Sequence, residues 1–140
     1  MEFSYVKCDG SFGAIYRPYL PITLSFGKKS FPVGHALVDT GSDMTILPLE
    51  IAHQLEIQLD DTKSVLVGSA GGGGFRAMPS LKKIGYAIEH KGHRPLCWSG
   101  TAYFAEEQSM VLLGHYQCLD QFAMTFDGPK KTLSILQKSK

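Results

Sequence analysis

The run Leu37-Val38-Asp39-Thr40-Gly41-Ser42 sets one carboxylate at the end of an apolar segment, inside a turn of small and hydroxyl-bearing residues. A carboxylate at the end of a strand buried on both faces is costly unless donors surround it. The Gly41 backbone N–H and the Ser42 hydroxyl are close enough in sequence to serve, and glycine lets other backbone approach. Such a group suits general acid–base work. An Asp-Thr-Gly triplet is also an ordinary surface turn, so the triplet alone does not decide between the two. His90-x2-His93-x3-Cys97 offers imidazole and thiolate at short spacing. No fourth ligand is evident, and Ile88 to Arg94 reads as a polar hairpin turn, so no metal is expected. The glycine run Gly71 to Gly74 lacks a following Gly-Lys-Ser/Thr and fits no Gly-x-Gly-x-x-Gly register, which argues against a phosphate cradle. No Gly-x-Ser-x-Gly elbow is present for a serine hydrolase of that type. Trp98, Tyr103 and Phe104 read as core or interface aromatics.

These residues must be held by short strands. Fifteen glycines and seven prolines divide β-branched and aromatic segments about every ten residues, the rhythm of an all-β domain. Pro21 to Phe26 alternates apolar and polar positions, turns at Gly27-Lys28-Lys29 and returns through Phe31 to Val38, which predicts a hairpin leading directly into Asp39. A second hairpin is predicted for Ala123 to Phe126 and Thr132 to Leu136, through Asp127-Gly128-Pro129. Short helices are predicted for Pro48 to Leu55 and for His115 to Phe122. A weak internal echo links Ala36-Leu37-Val38-Asp39-Thr40-Gly41 with Met110-Val111-Leu112-Leu113-Gly114, each an apolar strand ending in a glycine turn.

With 140 residues, 15.4 kDa and 44% apolar composition, the chain can build one core but not an eight-stranded α/β barrel. Fourteen basic residues against thirteen acidic ones leave no excess for phosphate backbones, so no nucleic-acid partner is expected. The longest apolar runs, Ala102 to Ala105 and Met110 to Leu113, fall far short of the roughly 18 residues of a membrane helix, and no membrane partner is expected. Met1 to Tyr5 has neither the basic nor the apolar region of a secretory signal, which favours a cytoplasmic location. Cys8, Cys97 and Cys118 are odd in number and widely spaced, and read as free thiols.

In their order and spacing, three stretches resemble the retropepsin-like aspartic proteases, the single-domain family that includes the retroviral enzymes. Ala36 to Leu47 looks like that family's active-site strand and its successor. Val67 to Phe75, followed by the apolar strand Ile84 to Ile88, looks like its glycine-rich flap hairpin. Val111-Leu112-Leu113-Gly114-His115, with the predicted helix to Phe122 and the strand to Phe126, is similar to its second apolar-apolar-Gly element. The resemblance implies an all-β, closed barrel-like acid-protease (retropepsin) domain with one or two short helices over residues 20–140. Residues 1–19 form an N-terminal segment and candidate dimer-edge strand.

Aspartic proteolysis uses two carboxyls sharing a proton, one activating water and the other polarising the scissile carbonyl. Only Asp39 has the Thr-Gly context, so the resemblance implies a homodimeric endopeptidase in which Asp39 of each chain meets at a twofold axis. It implies catalytic or positioning roles for Asp39, Thr40 and Gly41. Substrate contacts would come from Ser42, Asp43, Ser69, Ala70, Gly71, Gly72, Gly73, Gly74 and Phe75, and the substrate would be an extended polypeptide. No cofactor is implied. Ser42, alanine in most retroviral members, is expected to donate to the ionised pair and lower its pKa, giving an acidic working range. Asp43 is expected to pair with His115, which stands where the family has arginine. The chain ends, Leu133 to Leu136 and Phe3 to Val6, are candidates for an interleaved seam. The alternative reading is a non-proteolytic dimeric peptide-binding or assembly module with the same fold.

Overall fold

Alternating and β-branched segments fold as strands almost throughout. The computed structural model describes residues 1–68 and 71–137. In chain order the strands are β1 (Glu2–Ser4), β2 (Val6–Gly10), β3 (Gly13–Arg17), β4 (Tyr19–Phe26), β5 (Lys29–Val38) and β6 (Ile46–Pro48). After helix α1 (Leu49–Leu55) come β7 (Val65–Gly68), β8 (Gly74–Pro79), β9 (Ile84–Ile88), β10 (Leu96–Gly100), β11 (Tyr103–Ala105), β12 (Val111–Leu113), β13 (Phe122–Asp127) and β14 (Thr132–Gln137). Both predicted hairpins form, as β4–β5 and β13–β14.

Nine strands make the main sheet, in the order β10-β9-β4-β5-β12-β6-β11-β8-β7. Among the described residues no pairing joins β10 to β7, so the sheet is open and the closed barrel expected from the sequence is not found. β1, β14 and β13 form a second sheet, and β2–β3 stands as a two-stranded sheet of its own. The core lies against the main sheet. Leu20, Leu24, Leu47, Ile84, Ile88 and Phe104 are almost wholly excluded from water, and Leu133 and Ile135 bring the terminal sheet into the same cluster. Burial of large aliphatic and aromatic side chains contributes roughly 1.5–3 kcal/mol each. A smaller cluster of Ile46, Ala77 and Ala105 packs with Val65, Val67 and Phe75 under the β7–β8 hairpin.

The first predicted helix forms, one residue later than expected. Ile51, Ala52 and Leu55 share its buried face, and Glu56 in the left-handed region (φ 55°) ends it by donating its N–H to the His53 carbonyl. The second does not form. Gln117 takes a left-handed conformation (φ 54°), its N–H goes to the Asp120 carboxylate at 3.1 Å, and only a 3-10 turn at Leu119–Gln121 follows. The apolar strand Ile84–Ile88 also departs from expectation. It is no part of the glycine-rich hairpin but pairs with β4 and β10, while the hairpin's return strand is β8. Among the described residues no helix is long and apolar enough to cross a membrane.

Candidate active site

The two echoing segments of the sequence meet side by side. β5 and β12 pair in parallel, Ala36 with Val111, Leu37 with Leu112 and Val38 with Leu113, so Asp39 and Gly114 leave the sheet at the same end. The Asp39 N–H donates to the Leu113 carbonyl at 3.0 Å, which hangs the aspartate on the neighbouring strand. Gly114 is required there by contact: a Cβ at that position would run into the Met44 backbone. Its N–H donates to the hydroxyl of fully buried Thr45 at 3.2 Å. The His115 and Tyr116 N–H groups donate to the Ser42 and Asp43 carbonyls at 3.0 and 2.8 Å, tying the two turns together.

Asp39 itself is half-buried at the end of β5. The Gly41 N–H donates to its Oδ1 at 3.0 Å, the donor expected from the sequence, and the Ser42 N–H donates to its carbonyl at 3.1 Å. The Ser42 hydroxyl behaves otherwise than expected. It donates to the Met44 carbonyl at 2.7 Å, and with its one proton committed there it cannot also donate to the carboxylate. The expected Asp43–His115 ion pair is likewise absent among the described residues. His115 turns Nε2 to the Thr40 carbonyl at 2.7 Å, which fixes Nε2 as the protonated nitrogen in that contact, and Asp43 is left exposed. Thr40 is exposed at the tip of the turn.

A cleft of about 510 Å³ opens in front of Asp39. Asp39, Gly41, Ser42 and Asp43 line it together with Met44 and Ile46. The β7–β8 hairpin contributes Leu66, Val67, Gly68 and Phe75 to the lining. Gln108 and Leu112 complete it among the described residues. Charge in the cleft therefore comes from two carboxyls, and Met44, Ile46, Leu66, Val67, Phe75 and Leu112 supply its apolar side chains. The hairpin tip carries the glycines. Gly68 pairs with Gly74, and Gly72 sits in the turn with φ 85°, a conformation that disfavours a side chain. Of the cover residues expected from the sequence, Phe75 lines the cleft, whereas Gly71, Gly72, Gly73 and Gly74 lie beyond its lining; Ser69 and Ala70 lie outside the described residues. Met44, Ile46, Leu66, Gln108 and Leu112 were not legible as cleft residues, because nothing in an apolar strand or an isolated glutamine announces the cavity it faces.

The His90-x2-His93-x3-Cys97 stretch lies elsewhere. The rings of His90 and His93 meet edge-on at 5.2 Å, His90 packs edge-on against Phe3 at 4.7 Å, and Cys97 is exposed. Among the described residues no group of three or more His, Cys, Asp or Glu is arranged to hold a metal ion.

The chain shares its fold with a retropepsin-like aspartic protease from Rickettsia conorii, with a TM-score of 0.53 and 20% sequence identity over 97% of this chain and 98% of that one. A solved EIAV protease is also similar, with a TM-score of 0.47 and 20% identity over 71% of this chain and 82% of that one. No protein-family model and no curated protein sequence matches the chain.

Proposed function

We propose, from a fold shared with retropepsin-like aspartic proteases, that this chain is an aspartic endopeptidase acting as a homodimer on extended polypeptide. The observation that carries the reading is the position of Asp39, presented by a parallel strand pair on a cleft that a glycine-tipped hairpin also lines. In the dimer, one Asp39 carboxylate takes a proton from water while the other, protonated, polarises the scissile carbonyl. Water then adds to the carbonyl carbon and the proton passes to the leaving amine, with no covalent enzyme intermediate. The Gly41 N–H holds Oδ1 of its own Asp39 in orientation. Thr40 fixes the pair by bonding across the axis. Leu66, Val67 and Phe75 cover the peptide, and water is excluded when the hairpin closes.

Asp39→Asn is the direct test. Cleavage of an unstructured protein such as casein should fall by about 10⁴-fold or more on loss of the acid–base pair, with the circular dichroism spectrum unchanged. A wild-type chain that binds such peptides and never cleaves them, across pH 3 to 8 and at high protein concentration, would instead be the binding or assembly module.

A further inference from the structure

We infer that the β2–β3 hairpin is an arm that clasps a second copy of this chain, burying Phe12 at the junction. This rests on the proposal that two chains meet at Asp39. Among the described residues the hairpin pairs with no other strand, and none of its own residues is fully buried. An isolated two-stranded hairpin is marginal in water unless something packs on it. Its turn, Gly10-Ser11-Phe12-Gly13, carries a phenylalanine that is 99% exposed, and Tyr16, further along β3, is 43% exposed. A buried aromatic contributes roughly 150–250 Å² of contact, and here that area faces solvent.

The roots of the arm fix where it stands. At one root the Tyr5 N–H donates to the Lys131 carbonyl, beside the terminal sheet; at the other the Val38 N–H donates to the Pro18 carbonyl, one residue before Asp39. The arm therefore springs from between the chain ends and the strand that delivers the carboxylate. Two strands of five residues extend about 17 Å at roughly 3.3 Å per residue, enough to leave one molecule and reach another.

The terminal sheet explains why a second copy is the occupant. An interleaved seam needs a free edge on the last strand, but β14 is already paired on both sides within its own chain, by β1 through Phe3–Leu133 and by β13 through Met124–Ile135. Among the described residues, only the three-residue β1 and the outer side of β13 remain as edges of this sheet. The Asp39 turn offers a handful of residues, whereas a stable interface buries about 800 Å² on each partner. The arm supplies the missing surface, and reciprocally, since a twofold axis gives each chain both an arm and a place to receive one.

Sedimentation velocity on the full chain over a concentration series, wild type against Phe12→Ser, tests this. Phe12 touches solvent in the single chain, so the variant should keep the wild-type circular dichroism spectrum. Its dimer dissociation constant should rise about tenfold or more, and its cleavage rate per chain should return to the wild-type value at high enzyme concentration. A variant that dimerises as tightly as wild type overturns the arm and leaves the proteolytic reading standing. An unchanged dissociation constant with a raised KM means that the arm holds substrate, and also overturns it. A wild-type chain that stays monomeric at every concentration overturns both the arm and the paired Asp39 site.

Discussion

At the scale of single residues, the site depends on buried partners as much as on the carboxylate. Thr45 is wholly buried and accepts the Gly114 N–H. Thr45→Val keeps the shape but leaves that N–H without an acceptor, which should cost about 1–3 kcal/mol, read as a lower urea midpoint with unchanged slope. Asp60 gives the pH dependence. The Thr62 hydroxyl at 2.6 Å and N–H at 3.0 Å hold its carboxyl below the usual value. The ionised form then contributes stability above pH 3.8, and that contribution is lost as pH falls through the lowered folded value. Thr62→Val should therefore destabilise at pH 5 to 7, and the difference from wild type should shrink as pH falls below 3.8 and through the lowered folded value; urea melts at a series of pH values decide it. The sequence made the Asp39–Gly41 contact legible because donor and acceptor are two residues apart in a turn. It misplaced the Ser42 proton because a backbone carbonyl two residues on competes for the same hydroxyl, a local contest that residue types alone do not resolve.

At the scale of elements, the β7–β8 hairpin that lines the cleft has a packed base. Val65, Val67 and Phe75 are held by Ile46, Ala77 and Ala105, whereas among the described residues nothing lies within 4 Å of where Cβ atoms at Gly71 and Gly72 would stand. The two tip glycines should nonetheless respond differently. Gly72→Ala must adopt a left-handed conformation at a cost of about 1–2 kcal/mol, so it should open the hairpin and raise KM, while Gly71→Ala should change KM little. Steady-state kinetics on one peptide substrate distinguish them, and equal KM values for the two variants would mean the tip turn does not govern closure. The glycines announced this turn in the sequence. The place of the later apolar strand was not legible, because Ile84–Ile88, buried at alternate positions, carries no mark of which neighbour it pairs with. The helix predicted after Gly114 failed for a tertiary reason: the chain there is fitted against β10, where a Cβ on Gly100 would strike the Gln117 backbone.

At the scale of the whole molecule, the proposed pairing of Asp39 from two chains would make activity a question of concentration. Below the dimer dissociation constant, the cleavage rate should rise with the square of chain concentration and become linear above it; dilution of a fixed enzyme stock into excess peptide reads this, and a rate proportional to concentration down to the lowest dilution argues against a shared site. The β-rich architecture was legible from punctuation and alternation, and the hairpin into Asp39 from its turn residues. The open main sheet and the self-paired terminal sheet were not, because sheet closure and chain-end pairing are set by contacts between segments far apart in sequence.

The hydrogen bond from Asp39 to Leu113 has one more effect. While a ribosome is still making the polypeptide, the aspartate emerges long before the strand that must suspend it. A nascent molecule therefore carries the acid without its support until Leu113, far along the chain, has been made and its strand has paired with β5.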